Sequence, residues 1–180
     1  MSLVLISQAA HLRNALVKQQ RRIVFVESCT GGWLAASMAA LPGISQWWCG
    51  SLVVYRSDSK HRWLGIENNL LQDPLIGPVS EPVTRQLASE ALTQTPEADV
   101  AVAVTGDLGP GVGADKDGLV FFAIAWREHS EVSVRYTRLS RPAPADANDI
   151  EARVARLEEA SLWVLEQTLE CVQNTTAFRT

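Results

Sequence analysis

Six consecutive residues near the start of the chain combine the parts of a reaction centre: Glu27-Ser28-Cys29-Thr30-Gly31-Gly32. They follow an apolar β-type run, Ile23-Val24-Phe25-Val26, and precede a helix-favouring stretch, Trp33 to Ala40. A strand that ends in small polar residues and glycine, then opens a helix, aims main-chain N–H groups and a hydroxyl at one spot, where a phosphate or a developing oxyanion is stabilised. Lys60 offers an amine beyond a second strand. Thr105-Gly106-Asp107-Leu108-Gly109-Pro110-Gly111-Val112-Gly113 forms a glycine-rich exit from a third. Three strand exits with polar chemistry read as one site. The glycine-rich run lacks the G-x-x-x-x-G-K-[ST] spacing of an ATP-binding loop, which disfavours an ATP-driven reaction.

The elements that must position these residues alternate. Leu5, Ala9, Leu12 and Leu16 recur at helical spacing over about 3–20, with Lys18, Arg21 and Arg22 suited to its C-terminal turn. A strand at 23–26 and a helix at 32–41, stopped by Pro42-Gly43, come next. β-branched and aromatic content predicts a strand at 51–55, and Ser57-Asp58-Ser59 reads as the cap of a short helix carrying Lys60 and ending at Gly65. Residues 66–79 read as irregular, then Ser80 and Pro82 open a helix to Gln94. Ala98 to Val104 is an unbroken apolar strand of the kind buried on both faces. Strands at 118–126 and 131–138, the second edge-like, pair through a turn at 128–130. A Pro- and Ala-rich loop at 140–148 precedes a helix over 149–171, with Val154, Leu157, Ala160, Leu162, Val164, Leu165 and Leu169 on its buried side. The sum is an α/β single-domain three-layer sandwich, a mixed sheet covered by helices, over 1–172, with a disordered tail at 173–180.

Composition narrows the function. The chain has 180 residues, 47% hydrophobic and 20% charged, enough for one core and unlike disordered or fibrous chains. A net charge of −4 and a pI near 5.4 lack the basic excess of a nucleic-acid surface, so an anionic ligand must be gripped locally. The N-terminus has no charged region ahead of interrupted apolar residues, so it reads as a helix start and not a signal peptide, and no apolar run is long enough to span a bilayer. Cys29, Cys49 and Cys171 form no CxxC pair, and reduced thiols in a cytoplasmic setting are the simplest account.

Glu-Ser-Cys-Thr-Gly-Gly at 27–32, Tyr55-Arg-Ser-Asp-Ser-Lys60, Val79-Ser80-Glu81, Thr105-Gly106 with Gly109-Pro110-Gly111, and Lys116-Asp-Gly118 occur in that order. Together they resemble the CinA C-terminal domain family over roughly 5–169. The resemblance implies a nicotinamide-nucleotide amidohydrolase, which converts nicotinamide mononucleotide to nicotinate mononucleotide and ammonia without a metal or other cofactor. Amide hydrolysis needs a nucleophile, a base that later protonates ammonia, and donors for the oxyanion. Ser28 supplies the first and Lys60 the second, provided desolvation or a neighbouring cation such as Arg141 or Lys116 keeps its amine partly neutral. The resemblance adds Tyr55 and Thr105 as assisting groups. For the mononucleotide and its phosphate the expected partners are Thr30, Gly31, Gly32, Gly109, Gly111, Lys116 and Arg141. Three places depart from the family pattern: Arg56 to Ser59 stand where Ser-Asn-Glu-Ala is usual between the tyrosine and the lysine, Asp107 stands where small apolar residues are usual, and Arg141-Pro142 replaces a Gly-Asp-Arg, with Arg153 the competing arginine.

Several residues carry a second reading. Ser28 suits a helix cap as well as a nucleophile, and Glu27 suits an acceptor for main-chain N–H groups. Cys29 is either a low-pKa thiolate at a helix start or a small side chain packed under the turn. Trp47-Trp48 read as a hydrophobic anchor, and a homo-oligomer is expected. A catalytically silent paralogue that binds a nucleotide or a protein partner is the alternative to the enzyme.

Overall fold

The computed structural model describes residues 2–174. α1 (Leu3–Gln19) leads into β1 (Ile23–Glu27) and α2 (Trp33–Ala39). A single 3-10 turn, Ile44–Gln46, precedes β2 (Trp48–Val53), α3 (Ser57–Leu64), α4 (Asn68–Gln72) and α5 (Glu81–Gln94). Then come β3 (Val100–Gly106), β4 (Leu119–Trp126), β5 (Val132–Arg138) and α6 (Ile150–Asn174). The strands form one mixed sheet in the order β2-β1-β3-β4-β5. β1 runs parallel to β2 and β3, while β4 is antiparallel to β3 and β5. Parallel neighbours need helical crossovers, so the carboxyl ends of β1, β2 and β3 all open onto the same edge of the sheet.

Alternation along the strands divides the core in two. Ile23, Phe25, Val100, Val102, Val104, Phe122 and Ile124 face α1, α2 and α6. Val24, Val26, Ala101, Ala103, Ala123 and Ala125 face α5, which answers with Ala88 and Ala91. Small residues on both sides let that helix lie close to the sheet. Trp47 and Trp48 are half-buried against the α1, α2 and α6 side, the anchoring role their composition suggests.

Several boundaries differ from the sequence expectation, among them β3, which runs Val100–Gly106 and not 98–104, so that Thr105 and Gly106 belong to the strand, and α2, which is shorter than 32–41 at both ends. β2 starts and ends earlier than 51–55, because its register to β1 slips at Cys49 between the pairs Ile23–Trp48 and Val24–Gly50. Tyr55 therefore lies outside the sheet. α3 begins at Ser57: Ser59 Oγ accepts the Arg56 N–H at 3.2 Å and donates to the Arg56 carbonyl at 2.8 Å, so Lys60 is the fourth helical residue and not the first. The segment 66–79 contains a short helix. α6 starts behind an Asp149 cap, which accepts from Ala152 N–H at 3.2 Å and Ala145 N–H at 3.0 Å, and Gln173 and Asn174 remain helical. The rest of the expected tail, 175–180, lies outside the described residues. On α6, Val154 is 41% exposed, whereas Arg156 is buried. The first turns of this helix face the loops of the sheet edge, and the apolar stripe takes over from Ala160. Among the described residues no helix is long and apolar enough to cross a membrane.

Candidate active site

Glu27, the last residue of β1, has no solvent exposure. Its carboxylate accepts from Thr30 Oγ1 at 2.9 Å, Gly32 N–H at 3.0 Å, Leu34 N–H at 3.0 Å and Ala35 N–H at 2.8 Å. One buried anion thus satisfies the donors at the positive end of α2, the arrangement a helix N-terminus favours. Glu27, and not Ser28, is the cap. The Gly31 N–H donates to the Ser28 carbonyl at 3.1 Å. The Thr30 hydroxyl and the Gly31 and Gly32 N–H groups are consequently engaged within the turn, so the expected role for these residues in holding a phosphate is left, among the described residues, with the Thr30 N–H alone. Thr30 is wholly buried.

With the cap supplied by its neighbour, Ser28 has its hydroxyl available. Its N–H continues the parallel ladder to the Val104 carbonyl at 3.1 Å, which fixes Ser28 between the exits of β1 and β3. Lys60 Nζ reaches it from α3 and donates to Ser28 Oγ at 2.8 Å and to the Val54 carbonyl at 3.0 Å. Ser28 is 6% and Lys60 2% exposed. Burial lowers the Lys60 pKa from the usual 10.5 to about 8. Neither Arg141 nor Lys116 produces this shift. Desolvation does.

Cys29 packs beneath the dyad. Burial pushes its thiol up to about 12, so it is a neutral, packed side chain and not a reactive thiolate. A Cβ on Gly106 would stand 2.9 Å from Cys29 Sγ, 3.0 Å from Val120 Cγ2 and 3.1 Å from the Leu119 carbonyl. Glycine at this position is what allows β1 and β3 to leave the sheet so close together.

A cavity of about 270 Å³ opens over the dyad, walled by Tyr55 and Ser57, by Pro78 and Val79, by Gly106 to Gly109, and by Arg153. Tyr55 is 56% exposed, and its hydroxyl accepts from Arg153 Nη2 at 3.0 Å, while Arg153 Nη1 donates to the Gly109 carbonyl at 2.6 Å. Gly109 is pinned from below. Its absent side chain makes room for Asp117, held in two hydrogen bonds by Arg156 at 2.6 and 2.8 Å, and for buried Pro144. Arg156 also holds the Asp117 carboxyl below the usual carboxylate range.

Besides Thr30, Gly31 and Gly32, four further expected residues stand apart from the cavity. Thr84 Oγ1 donates to the Ser80 carbonyl at 2.7 Å, so its 2.7 Å contact with Thr105 must have Thr105 as donor. That hydroxyl is buried under α5 and braces the loop bearing Pro78 and Val79; it does not reach the dyad. Gly111 and Lys116 lie on the exposed far side of the glycine-rich loop. Arg141 is exposed too: Glu159 holds its N–H at 3.0 Å and Arg156 Nε its carbonyl at 3.0 Å, fastening the loop to α6 with the side chain outward. Arg153 supplies the cavity's guanidinium instead. Sequence reasoning overlooked Arg156; its sign was an arginine on the buried side of an amphipathic helix. Among the described residues no group of three or more His, Cys, Asp or Glu side chains is placed to hold a metal ion.

Comparison with known proteins agrees with this architecture. The family model described as the CinA C-terminal domain matches residues 6–158. A CinA-like protein of Mycobacterium leprae is 38% identical over 135 residues, covering 74% of this chain and 30% of its own length. One from Mycobacterium marinum is 39% identical over the same shares. The chain thus spans about a third of these curated relatives. Among solved structures, a CinA superfamily protein of Klebsiella pneumoniae matches with a TM-score of 0.80 at 24% identity, covering 94% of this chain and 98% of that one. A competence/damage inducible protein of Agrobacterium tumefaciens matches with a TM-score of 0.77 at 30% identity, covering 97% and 100%.

Proposed function

This chain belongs to the CinA C-terminal domain family, and on that premise we propose that it is an amidohydrolase acting on the carboxamide of nicotinamide mononucleotide through a Ser–Lys pair. The observation that carries the reading is the 2.8 Å contact between Lys60 Nζ and Ser28 Oγ under an open cavity, with a lysine whose pKa burial has lowered to about 8. A buried amine titrating near neutrality can both accept and return a proton.

In the proposed sequence the neutral fraction of Lys60 takes the Ser28 hydroxyl proton as Oγ bonds to the carboxamide carbon. The resulting oxyanion needs donors. The N–H groups of Cys29 and Thr30 follow Ser28 directly and, among the described residues, donate to no other residue. Lys60 then returns its proton to the nitrogen, the C–N bond breaks, and ammonia leaves an acyl-serine ester. Water, deprotonated by Lys60, attacks that ester; the C–Oγ bond breaks and Ser28 regains its proton. The balance is amide plus water to carboxylic acid plus ammonia. The phosphate falls to Arg153, which has no carboxylate within ion-pair distance among the described residues.

Ammonia release from nicotinamide mononucleotide by the purified chain tests the reading. Activity in the wild type and its loss in Ser28→Ala are expected. A ligand that raises Tm with no ammonia formed would overturn it in favour of a silent binding protein.

A further inference from the structure

The cavity contains two opposite charges that do not meet. Among the described residues Arg153 donates only to the neutral Gly109 carbonyl and the Tyr55 hydroxyl. Asp107, three residues beyond the Val104 carbonyl that holds the Ser28 N–H, lines the same cavity, and its carboxylate accepts a single hydrogen bond from the neutral Gly109 N–H at 3.2 Å. Among the described residues no cation lies within ion-pair distance of Asp107. The nearby guanidinium of Arg156 is already taken by Asp117. Lys60 owes its depressed pKa to burial, with no contribution from Asp107. A partly buried carboxylate, with only the already paired Arg156 for a neighbouring cation, and a partly buried guanidinium, lining one cavity and neither in an ion pair among the described residues, suit a ligand that brings both signs.

We propose that Asp107 is a specificity-determining residue that selects substrates whose amide-bearing ring is permanently cationic, and that it forms with Arg153 a charge pair completed by a zwitterionic ligand. This rests on the amidohydrolase reading above and deepens it. A pyridinium mononucleotide has the required pattern: a positive ring carrying the carboxamide and, one ribose away, an anionic phosphate. With the phosphate at Arg153, the ring over Ser28 lies between the dyad and the Asp107 side of the cavity. A bare carboxylate there stabilises a cationic ring and leaves a neutral one without gain. It also disfavours binding in the reverse sense, because a phosphate turned toward Asp107 meets like charge.

Asp107→Asn separates this role from a structural one. The asparagine keeps an oxygen for the Gly109 N–H and leaves the main-chain bonds from Asp107 N–H to Leu119 and from Gly118 N–H to Asp107 unchanged, so the loop is preserved while the charge is lost. The measurement is kcat/KM for ammonia release from nicotinamide mononucleotide and from its neutral 1,4-dihydro form, in wild type and variant, with Tm recorded for both. Intrinsic reactivity differs between the two rings but cancels when their ratio is compared across enzymes. The preference for the cationic ring is expected to fall at least about tenfold in Asp107→Asn. A ratio unchanged within about twofold, in an enzyme that does release ammonia, overturns the assignment. If the wild type releases ammonia from neither form, the amidohydrolase reading fails separately. Calorimetric titration of both mononucleotides into Ser28→Ala, with and without Asp107→Asn, then decides Asp107: selective weakening toward the cationic form upholds it, and equal affinities or no binding overturn it.

Discussion

Two strand-to-helix junctions meet at the carboxyl edge of the sheet and treat a buried charge in opposite ways. At the β1–α2 junction, Glu27 is enclosed with four donors, three of them main-chain N–H groups at the start of the helix. At the β2–α3 junction, Lys60 is enclosed with one hydroxyl and one carbonyl and has no carboxylate at ion-pair distance among the described residues. A compensated charge holds a loop in one conformation. A poorly compensated one lowers its cost by changing protonation state. The first junction therefore serves as a platform that presents Ser28, and the second as the source of a titratable amine.

The severest way to break this contrast is Lys60→Met, which keeps the length of the side chain and removes the amine. Loss of the proposed base is expected to lower kcat/KM for ammonia release by about 10³–10⁴-fold. Stability should hold or rise, because an apolar group replaces a charge that burial disfavours. Activity assays and urea melts on the same preparation read both effects. A variant that retains the wild-type rate removes Lys60 from the chemistry.

Glu27→Gln has the opposite expected signature. The amide keeps the shape but turns an NH₂ group toward a cluster of donors, leaving buried N–H groups without an acceptor. A loss of about 2–4 kcal/mol in unfolding free energy is expected. A loss below about 0.5 kcal/mol would mean the junction tolerates an unmatched donor, and the comparison would lose its first half.

Much of this arrangement was legible in the sequence, for identifiable reasons. The apolar run 98–104 reads as a strand buried on both faces, and β3 is such a strand two residues further on; the Ser28 and Lys60 hydroxyl–amine pair followed from strand exits that a parallel sheet gathers at one edge. Whether a given polar group in such a turn faces the cavity or its own backbone was not legible. Thr30, Gly31 and Gly32 have the composition of an anion-binding turn, yet Thr30 and Gly32 hold Glu27, contributed by the preceding strand, and Gly31 donates to the Ser28 carbonyl. Arg141 and Arg153 are equivalent as sequence. They part because Glu159 and Arg156 fasten residues 140 and 141 to α6, while Arg153 lies on the helix itself, over the glycine-rich loop. Such choices depend on partners distant in the chain, and local spacing does not contain them.

The pH dependence of stability sharpens the second half of the contrast. Lys60 binds its proton near pH 8 in the folded chain and near 10.5 when unfolded. Between those values the unfolded chain holds more protons, so the unfolding free energy contributed by this group rises with pH, recovering about 3 kcal/mol that is missing at and below neutrality. Urea melts from pH 7 to 10.5 should show that rise in wild type relative to Lys60→Met. Because the proposed reaction uses the neutral amine, kcat/KM should increase with pH through an apparent pKa of about 8. A flat profile through that window would place the titration elsewhere.

The smallest effect is expected at Thr105, where family resemblance assigns an assisting hydroxyl and the packing gives it another occupation. Its proton goes to Thr84 Oγ1, and Thr84 in turn donates to the Ser80 carbonyl. Thr105→Val preserves the branched shape on β3 and removes one link. Thr84 still has its own acceptor at Ser80, and the only group left wanting is a hydroxyl lone pair. The cost should be about 1 kcal/mol of stability, with kcat/KM within about threefold of wild type. The residual rate change would come from slack in the loop bearing Pro78 and Val79, and would appear in KM more than in kcat. A loss of about a hundredfold in kcat would instead put the Thr105 hydroxyl among the reacting groups, and would require α5 to draw back so that a third strand exit contributed chemistry alongside the two junctions.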